Sequence, residues 1–437
     1  MAELSPPLAD AMSQQADPAS APDDPAGRER IRRVIRCVVA LMFYQGFTIA
    51  ILGTGAPWIA KSFGLDQAGI ARAFAWVSLS AFGALALARM ADRVGRRRVV
   101  LWSMAGTPIS ALGAALATRV GWLIVSSAFL FAFLGATIAS AVVMLAEELP
   151  VDQRAKGQSY AALAGSMGSG LCILVMPALA RTALSWRGLF LLSALGIALW
   201  PTMARIVPES RRWERAAAAG VTVRTSFYAV FRAPWRKRAI VLLICSLLGA
   251  VSSTGADAWT YFHAVTVVHL SPAATSILIL VGGGIGLAGF SLGAWASERF
   301  GRVPTVAILG PLGAMGVLWY YWGPPAHFAL PALWLGAGFA WRTAMGNGVV
   351  VAANSAVTEL LPTALRSTVI GWLSITMSLG ALASHTTVAL LAGPMGGLSV
   401  VVGYLALLGL PSAALFAIFI DETRGLTLEA ASGEALS

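Results

Sequence analysis

Two charged side chains stand well inside long apolar runs, Asp257 and Arg342. Each would cost roughly 2.5–3.5 kcal/mol at the centre of a bilayer if it faced lipid. Each therefore needs a partner or a water-filled surface. A carboxylate in such a place can take up a proton or hold a cation, and a guanidinium offers a fork of donors matched to a carboxylate. Five further side chains are candidate contacts for a small solute: Tyr44, Gln45 and Thr48 in the first apolar run, Trp259 near Asp257, and Asn347 near Arg342. Gln45 and Thr48 can bind but cannot carry a proton, since an amide has none to release near neutral pH.

Other chemistries find little support. His263, His269, His327 and His385 lack metal-ligand spacing and are expected to be hydrated or interfacial. Cys37, Cys172 and Cys245 are odd in number and lie in or beside apolar runs, so they read as packing residues. Gly284-Ile285-Gly286-Leu287-Ala288-Gly289 matches a dinucleotide fingerprint in letters alone. It follows no strand and has no acid about 20 residues on, so the glycines are expected to serve close helix packing. No clustered catalytic groups appear at either membrane face. The chain is read as no enzyme, with no cofactor and no metal.

The elements that must position these residues are membrane spans. The 437 residues are 57% hydrophobic and 12% charged, against about 25% charged in a soluble domain, and the mean hydropathy is +0.75. That is too little charge to solvate a globular surface. Twelve apolar runs of spanning length fall at about 34–59, 70–90, 98–118, 121–147, 158–180, 187–207, 239–266, 272–295, 303–322, 329–357, 367–392 and 398–420. Residues 1–30 are expected to form a disordered cytoplasmic tail, 31–207 one six-helix bundle, 208–238 a cytoplasmic central loop, 239–421 a second six-helix bundle and 422–437 a cytoplasmic tail. Most of the 31 Lys and Arg residues fall on one side of this arrangement, which places both termini in the cytoplasm. The net charge of +11 is thus a topology signal rather than a sign of nucleic-acid binding.

The two halves repeat. Glu147-Glu148-Leu149-Pro150-x3-Arg154 recurs as Glu359-Leu360-Leu361-Pro362-x3-Arg366. Ala88-x3-Asp92-Arg93-Val94-Gly95-Arg96 recurs as Ala294-x3-Glu298-Arg299-Phe300-Gly301-Arg302. Pro208-Glu209-Ser210-Arg211 and Asp421-Glu422-Thr423-Arg424 end the two halves. Two homologous bundles in the same orientation follow, a transporter arrangement with solute near the midplane.

On these motifs the chain, from residue 31 to 429, resembles the major facilitator superfamily. Asp92-Arg93-Val94-Gly95-Arg96-Arg97-Arg98 is similar to its loop 2–3 signature, with Ala88 in place of the leading Gly. Trp186-Arg187, Pro208-Glu209-Ser210 and Glu422-Thr423-Arg424-Gly425 resemble the sugar-porter and metabolite:proton-symporter signatures. Gln45-Gly46-Phe47-Thr48 resembles the first helix of aromatic-acid:proton symporters, with both acids of that pattern replaced.

The resemblance implies an all-α membrane protein of twelve transmembrane helices in two six-helix bundles about a parallel pseudo-two-fold. It implies a monomeric secondary transporter in the cell membrane, moving an organic or aromatic acid or similar metabolite, with a proton as coupling partner. The alternatives are an efflux antiporter and a non-transporting sensor. Asp92, Arg93, Arg96, Glu147, Arg154, Glu298, Arg299, Arg302, Glu359 and Arg366 are implied gating residues, or else charges that only stop helices. Asp257 and Arg342 lie at similar depths, about 14 and 20 Å from one helix end at 1.5 Å per residue. They are expected to pair across a central cavity, Asp257 as proton or cation site and Arg342 as carboxylate anchor. The rival expectations are a static pair and a merely solvated Asp257.

Overall fold

The computed structural model describes residues 25–148, 151–206, 228–231, 235–323, 330–361 and 363–425. Among them there is no strand. Twelve helical spans follow in order: α1 (Pro25–Phe63), α2 (Gln67–Ser78 and Ser80–Val94), α3 (Arg96–Ala115), α4 (Val120–Glu148), α5 (Val151–Leu179), α6 (Trp186–Ala194, Leu195–Leu199 and Trp200–Ile206), α7 (Arg236–Ala258, Thr260–Phe262 and His263–Val267), α8 (Pro272–Gly286 and Ala288–Phe300), α9 (Arg302–Tyr321), α10 (Pro331–Leu360), α11 (Thr363–Leu391) and α12 (Leu398–Ala406 and Gly409–Phe419). Among the described residues, 10 are long and apolar enough by themselves to cross a bilayer. The two others are α3, which opens on Arg96, Arg97 and Arg98, and α10, which carries Arg342, Asn347 and Asn354.

Helix α1 begins at Pro25, inside the stretch expected to be a disordered tail, and absorbs the basic cluster from Arg28 to Arg36 into its first turns. The expected central loop, 208–238, lies mostly outside the described residues.

The repeat seen in the sequence is a repeat of packing. Helix α1 lies against α5 and α7 against α11; α2 lies against α4 and α8 against α10; α3 lies against α4 and α9 against α10. Missing side chains permit the closest approaches. A Cβ at Gly46 would meet the Gly165 carbonyl of α5, and one at Gly289 would meet the Ala344 carbonyl of α10. The Gly282, Gly286, Gly289 and Gly293 row therefore faces α10 of its own bundle rather than the other bundle. Small residues let backbones pack where lipid supplies no hydrophobic drive between helices.

Five of the spans are interrupted, and in α2 and α7 side chains compete for carbonyls at the break. In α2 the Ser78 hydroxyl bonds back to the Phe74 carbonyl at 2.9 Å, one residue before the break at Leu79. In α7 the Ala256 carbonyl is taken by the Thr260 hydroxyl at 2.7 Å and by the Tyr321 hydroxyl of α9 at 2.5 Å. Side chains competing for a helix carbonyl loosen the ladder. The chain then passes through a π-helical turn at His263–Val267, a form that recurs at functional sites.

Candidate functional site

A cavity of about 500 Å³ lies between the two bundles. One wall comes from α1, α2, α4 and α5, with Ile49, Thr54, Phe74, Ser78, Phe131 and Ser169. It carries hydroxyls and apolar groups but no charge. The other wall comes from α7, α8, α10 and α11, and holds Asp257, Thr260, Tyr261, Ile279, Phe339, Arg342 and His385. All of the cavity's formal charge is thus on one bundle.

Asp257 and Arg342 meet there. The Arg342 Nη1 donates to Asp257 Oδ1 at 2.7 Å, and Nη2 donates to Thr260 Oγ1 at 2.8 Å. The guanidinium carbon lies 4.7 Å from the centre of the Phe339 ring and 5.8 Å from that of Tyr320. These faces attract a cation and also wall it in. The Arg342 side chain is 7% exposed, that of Asp257 73%. The arginine is therefore a fixture of the protein, while the carboxylate stands in the cavity.

The remaining expected solute contacts are not in the cavity wall among the described residues. Trp259 is fully buried, its ring stacked 4.7 Å from Phe74 of α2, so it closes one end of the cavity rather than lining it. The Thr48 hydroxyl donates to the Tyr44 carbonyl at 2.9 Å and meets Ser193 Oγ at 2.9 Å; the Tyr44 hydroxyl is 3.4 Å from the same Ser193. Both are thereby tied to α6. Gln45 is 2% exposed and its Oε1 is unpartnered. Asn347 Nδ2 donates to the Gly286 carbonyl at 2.9 Å, bracing the break in α8. Tyr44, Thr48 and Asn347 thus point from their helices into their own bundles, which residue type and depth alone do not disclose.

Two histidines also depart from expectation. His263 and His385 are buried, at 1% and 6% exposure, where hydrated or interfacial side chains were anticipated; His269 is exposed and His327 lies outside the described residues. The sequence reading named His385 only as one of four histidines and placed neither it nor Ser78 at the cavity.

The bundles touch at the end of the molecule away from Pro25 and Gly425. Trp58 packs on Tyr261 at 5.9 Å and Phe74 on Trp259 at 4.7 Å. The Ser276 hydroxyl of α8 donates to the Ile173 carbonyl of α5 at 2.7 Å, and the Leu398 N–H donates to Gln67 Oε1 at 2.6 Å. These contacts close that end above the cavity.

At the end carrying Pro25 and Gly425, Arg302 Nη2 pairs with Glu359 at 2.8 Å, and the Thr423 hydroxyl donates to the other Glu359 oxygen. Glu422 accepts the backbone N–H groups of Arg302 at 3.0 Å and Val303 at 2.9 Å, with those of Thr423 and Arg424. Partial burial alone would push the Glu422 carboxyl up, but these backbone donors outweigh it and hold it below the usual range. The contacts join α9, α10 and the segment after α12, all in one bundle. Glu298 and Arg299 are exposed. The side chains of Asp92, Arg93, Arg96, Glu147, Arg154 and Arg366 lie outside the described residues.

Residues 38–385 match the family model described as Major Facilitator Superfamily. The chain is 31% identical over 189 residues to the gallate transporter of Pseudomonas putida, covering 43% of this chain and 41% of that one. It is 22% identical over 354 residues to the gentisate transporter of Corynebacterium glutamicum, covering 78% of this chain and 77% of that one. The aligned region thus spans less than half of the first relative and most of the second. The crystal structure of a D-xylose–proton symporter superposes with a TM-score of 0.72 at 18% identity, over 91% of this chain and 99% of that one. That likeness bears on the fold.

Proposed function

The chain belongs to the Major Facilitator Superfamily, and from that premise we propose that it moves a small aromatic carboxylate across the cell membrane together with a proton. The observation that carries the reading is the Asp257–Arg342 pair, with a sealed cation and an open carboxylate on one wall of a cavity. The gallate and gentisate transporters among its relatives support the solute class. Both solutes are benzoates with ring hydroxyls.

The roles follow from charge. Arg342 is the anchor for the solute carboxylate. Asp257 occupies that anchor when ionised. A proton on Asp257 releases Arg342 Nη1 to the solute, so the loaded site holds one anion and one cation. Such a site can be exchanged between the two sides with little electrostatic penalty, whereas a lone buried charge is expensive. Phe74, Phe131, Ile279 and Phe339 supply apolar surface for a ring.

In this reading both termini are cytoplasmic, the bundles are 31–207 and 239–421 joined by a cytoplasmic 208–238, and the transporter works as a monomer. The closed end then faces outward and the cavity serves the inside. The charged groups around Asp92, Glu298 and Arg302, with their counterparts at Glu147, Arg154, Glu359 and Arg366, set the balance of states at the cytoplasmic end. The test is uptake of gentisate and gallate into proteoliposomes under an imposed proton gradient. Concentrative uptake that collapses with the gradient is expected. Equilibration with no response to the gradient would contradict proton coupling, and no flux of either acid would contradict the solute class.

A further inference from the structure

On the reading just proposed, Arg342 holds one end of the solute; the opposite end needs a partner of its own. His385 of α11 and Ser78 of α2 line the same cavity, from opposite bundles. Their hydrogen bonds favour one tautomer. The Ser78 hydroxyl proton goes to the Phe74 carbonyl at 2.9 Å. The same Oγ lies 3.1 Å from His385 Nδ1. While that proton is given to Phe74 the hydroxyl can only accept towards His385, and Nδ1 then carries the hydrogen. In the neutral imidazole Nε2 is then a bare lone pair.

That lone pair has no partner among the described residues and is itself closed off from the cavity in this state, with His385 only 6% exposed, so a solute must displace a neighbouring ring to reach it. The ring stands edge-on to Phe74 at 5.7 Å and 79° and to Trp259 at 5.8 Å and 81°. Turning it over would break the bond to Ser78. A buried acceptor held in place and left unsatisfied is costly. It becomes an asset when the ligand brings the missing donor.

We infer that His385, oriented by Ser78, is a specificity-determining residue that accepts a hydrogen bond from a hydroxyl of the solute. The station takes donors and refuses acceptors. A ring hydroxyl satisfies Nε2, whereas a methoxy group of similar shape places an oxygen lone pair against a nitrogen lone pair. Sites that bond a hydroxyl discriminate strongly against analogues that lack the proton. The charged head is thus read by α7 and α10, and the substituent by a pair that spans both bundles.

The experiment compares uptake of 3- and 4-hydroxybenzoate with their methoxy counterparts in proteoliposomes. Wild-type protein is expected to favour the hydroxylated acid at one or both positions by about tenfold or more in kcat/KM. In His385→Phe that ratio should fall to about one, through a loss on the hydroxylated acid and not on the methoxy acid. His385→Gln keeps an acceptor oxygen and should keep most of the preference. Ser78→Ala frees the ring to change tautomer and should lower the preference without abolishing flux. An unchanged ratio in His385→Phe would overturn the inference, and so would an equal loss for both solutes, which marks a purely structural role. Absence of uptake of every solute by folded wild-type protein would overturn the transport reading itself, and this assignment with it.

Discussion

Arg342 and Asp257 are 2.7 Å apart but live in different media: the arginine is 7% exposed and the aspartate 73%. The ion pair is therefore one-sided. Its cation is held by Thr260 and two aromatic rings whatever happens in the cavity. Its anion stands open to the cavity. Removing one member of a buried pair costs about 3–5 kcal/mol because a charge is stranded, and here the loss of Asp257 opens Arg342 to the cavity, which lessens that cost.

The asymmetry predicts how Asp257 tolerates substitution. Asp257→Asn keeps an acceptor oxygen for Arg342 Nη1 and should leave the thermal midpoint nearly unchanged. Asp257→Ala leaves a guanidinium facing a hole and should cost about 1–2 kcal/mol, less than the full buried-pair penalty. Thermal unfolding in detergent, with the two variants side by side, reads the difference. Equal midpoints would mean that water alone satisfies Arg342.

Arg342 itself is expected to fix the choice of anion. Arg342→Gln should raise KM for gentisate at least tenfold, about 1.4 kcal/mol or more, while a neutral analogue bearing an amide in place of the carboxylate gains relative to the acid. Competition between the acid and its amide in uptake measures this. An unchanged ratio of the two would remove Arg342 from the anchor role.

The glycine row offers a test with its own control. Gly289→Ala drives a Cβ into the Ala344 backbone, whereas Gly284→Ala, in the same fingerprint-like hexapeptide, meets nothing within 4 Å. Overpacking against backbone costs about 1–3 kcal/mol. Gly289→Ala should lower the thermal midpoint clearly and Gly284→Ala should not. Equal effects would return the row to being only a helix of small residues.

Legibility in the sequence followed the cost of an error. A charge in a bilayer-spanning run is so expensive that Asp257 and Arg342 announced themselves, and their depths foretold that they meet. The spans and the repeat were legible because hydropathy and short charged motifs are local signals. The facing of Tyr44, Thr48 and Asn347 was not, because helix rotation is set by tertiary contacts such as Ser193 and Gly286, far away in the chain. His385 was missed for the same reason: its meaning lies in Ser78, 307 positions away.

Glu422 should give a pH dependence of stability. Its carboxyl is held below the ordinary range by backbone donors, so the stabilisation is present above the unfolded value of about 4.3 and is lost as pH falls through the lower folded value. The midpoint difference between wild type and Glu422→Gln should be constant from neutral pH to about 5 and shrink on further acidification. A difference that grows as pH falls would contradict the sign.

Trp259 should govern the closed end. Its stack on Phe74 is worth about 0.5–1.5 kcal/mol, so Trp259→Ala should shift the balance of states about two- to tenfold towards opening there. Distances between spin labels at the exposed positions Lys61 and Gly393 should gain a longer population in the variant. An unaltered distribution would show that the other contacts suffice.

The proposed coupling role of Asp257 is tested most directly by separating driven uptake from exchange. Proteoliposomes containing wild type or Asp257→Asn are given gentisate, first with an acidic exterior and then at equal pH with unlabelled gentisate inside. Wild type is expected to concentrate the acid under the gradient and to exchange it without one. Asp257→Asn is expected to exchange but not to concentrate, its rate no longer following pH. Concentrative, pH-dependent uptake by Asp257→Asn at wild-type level would contradict the account.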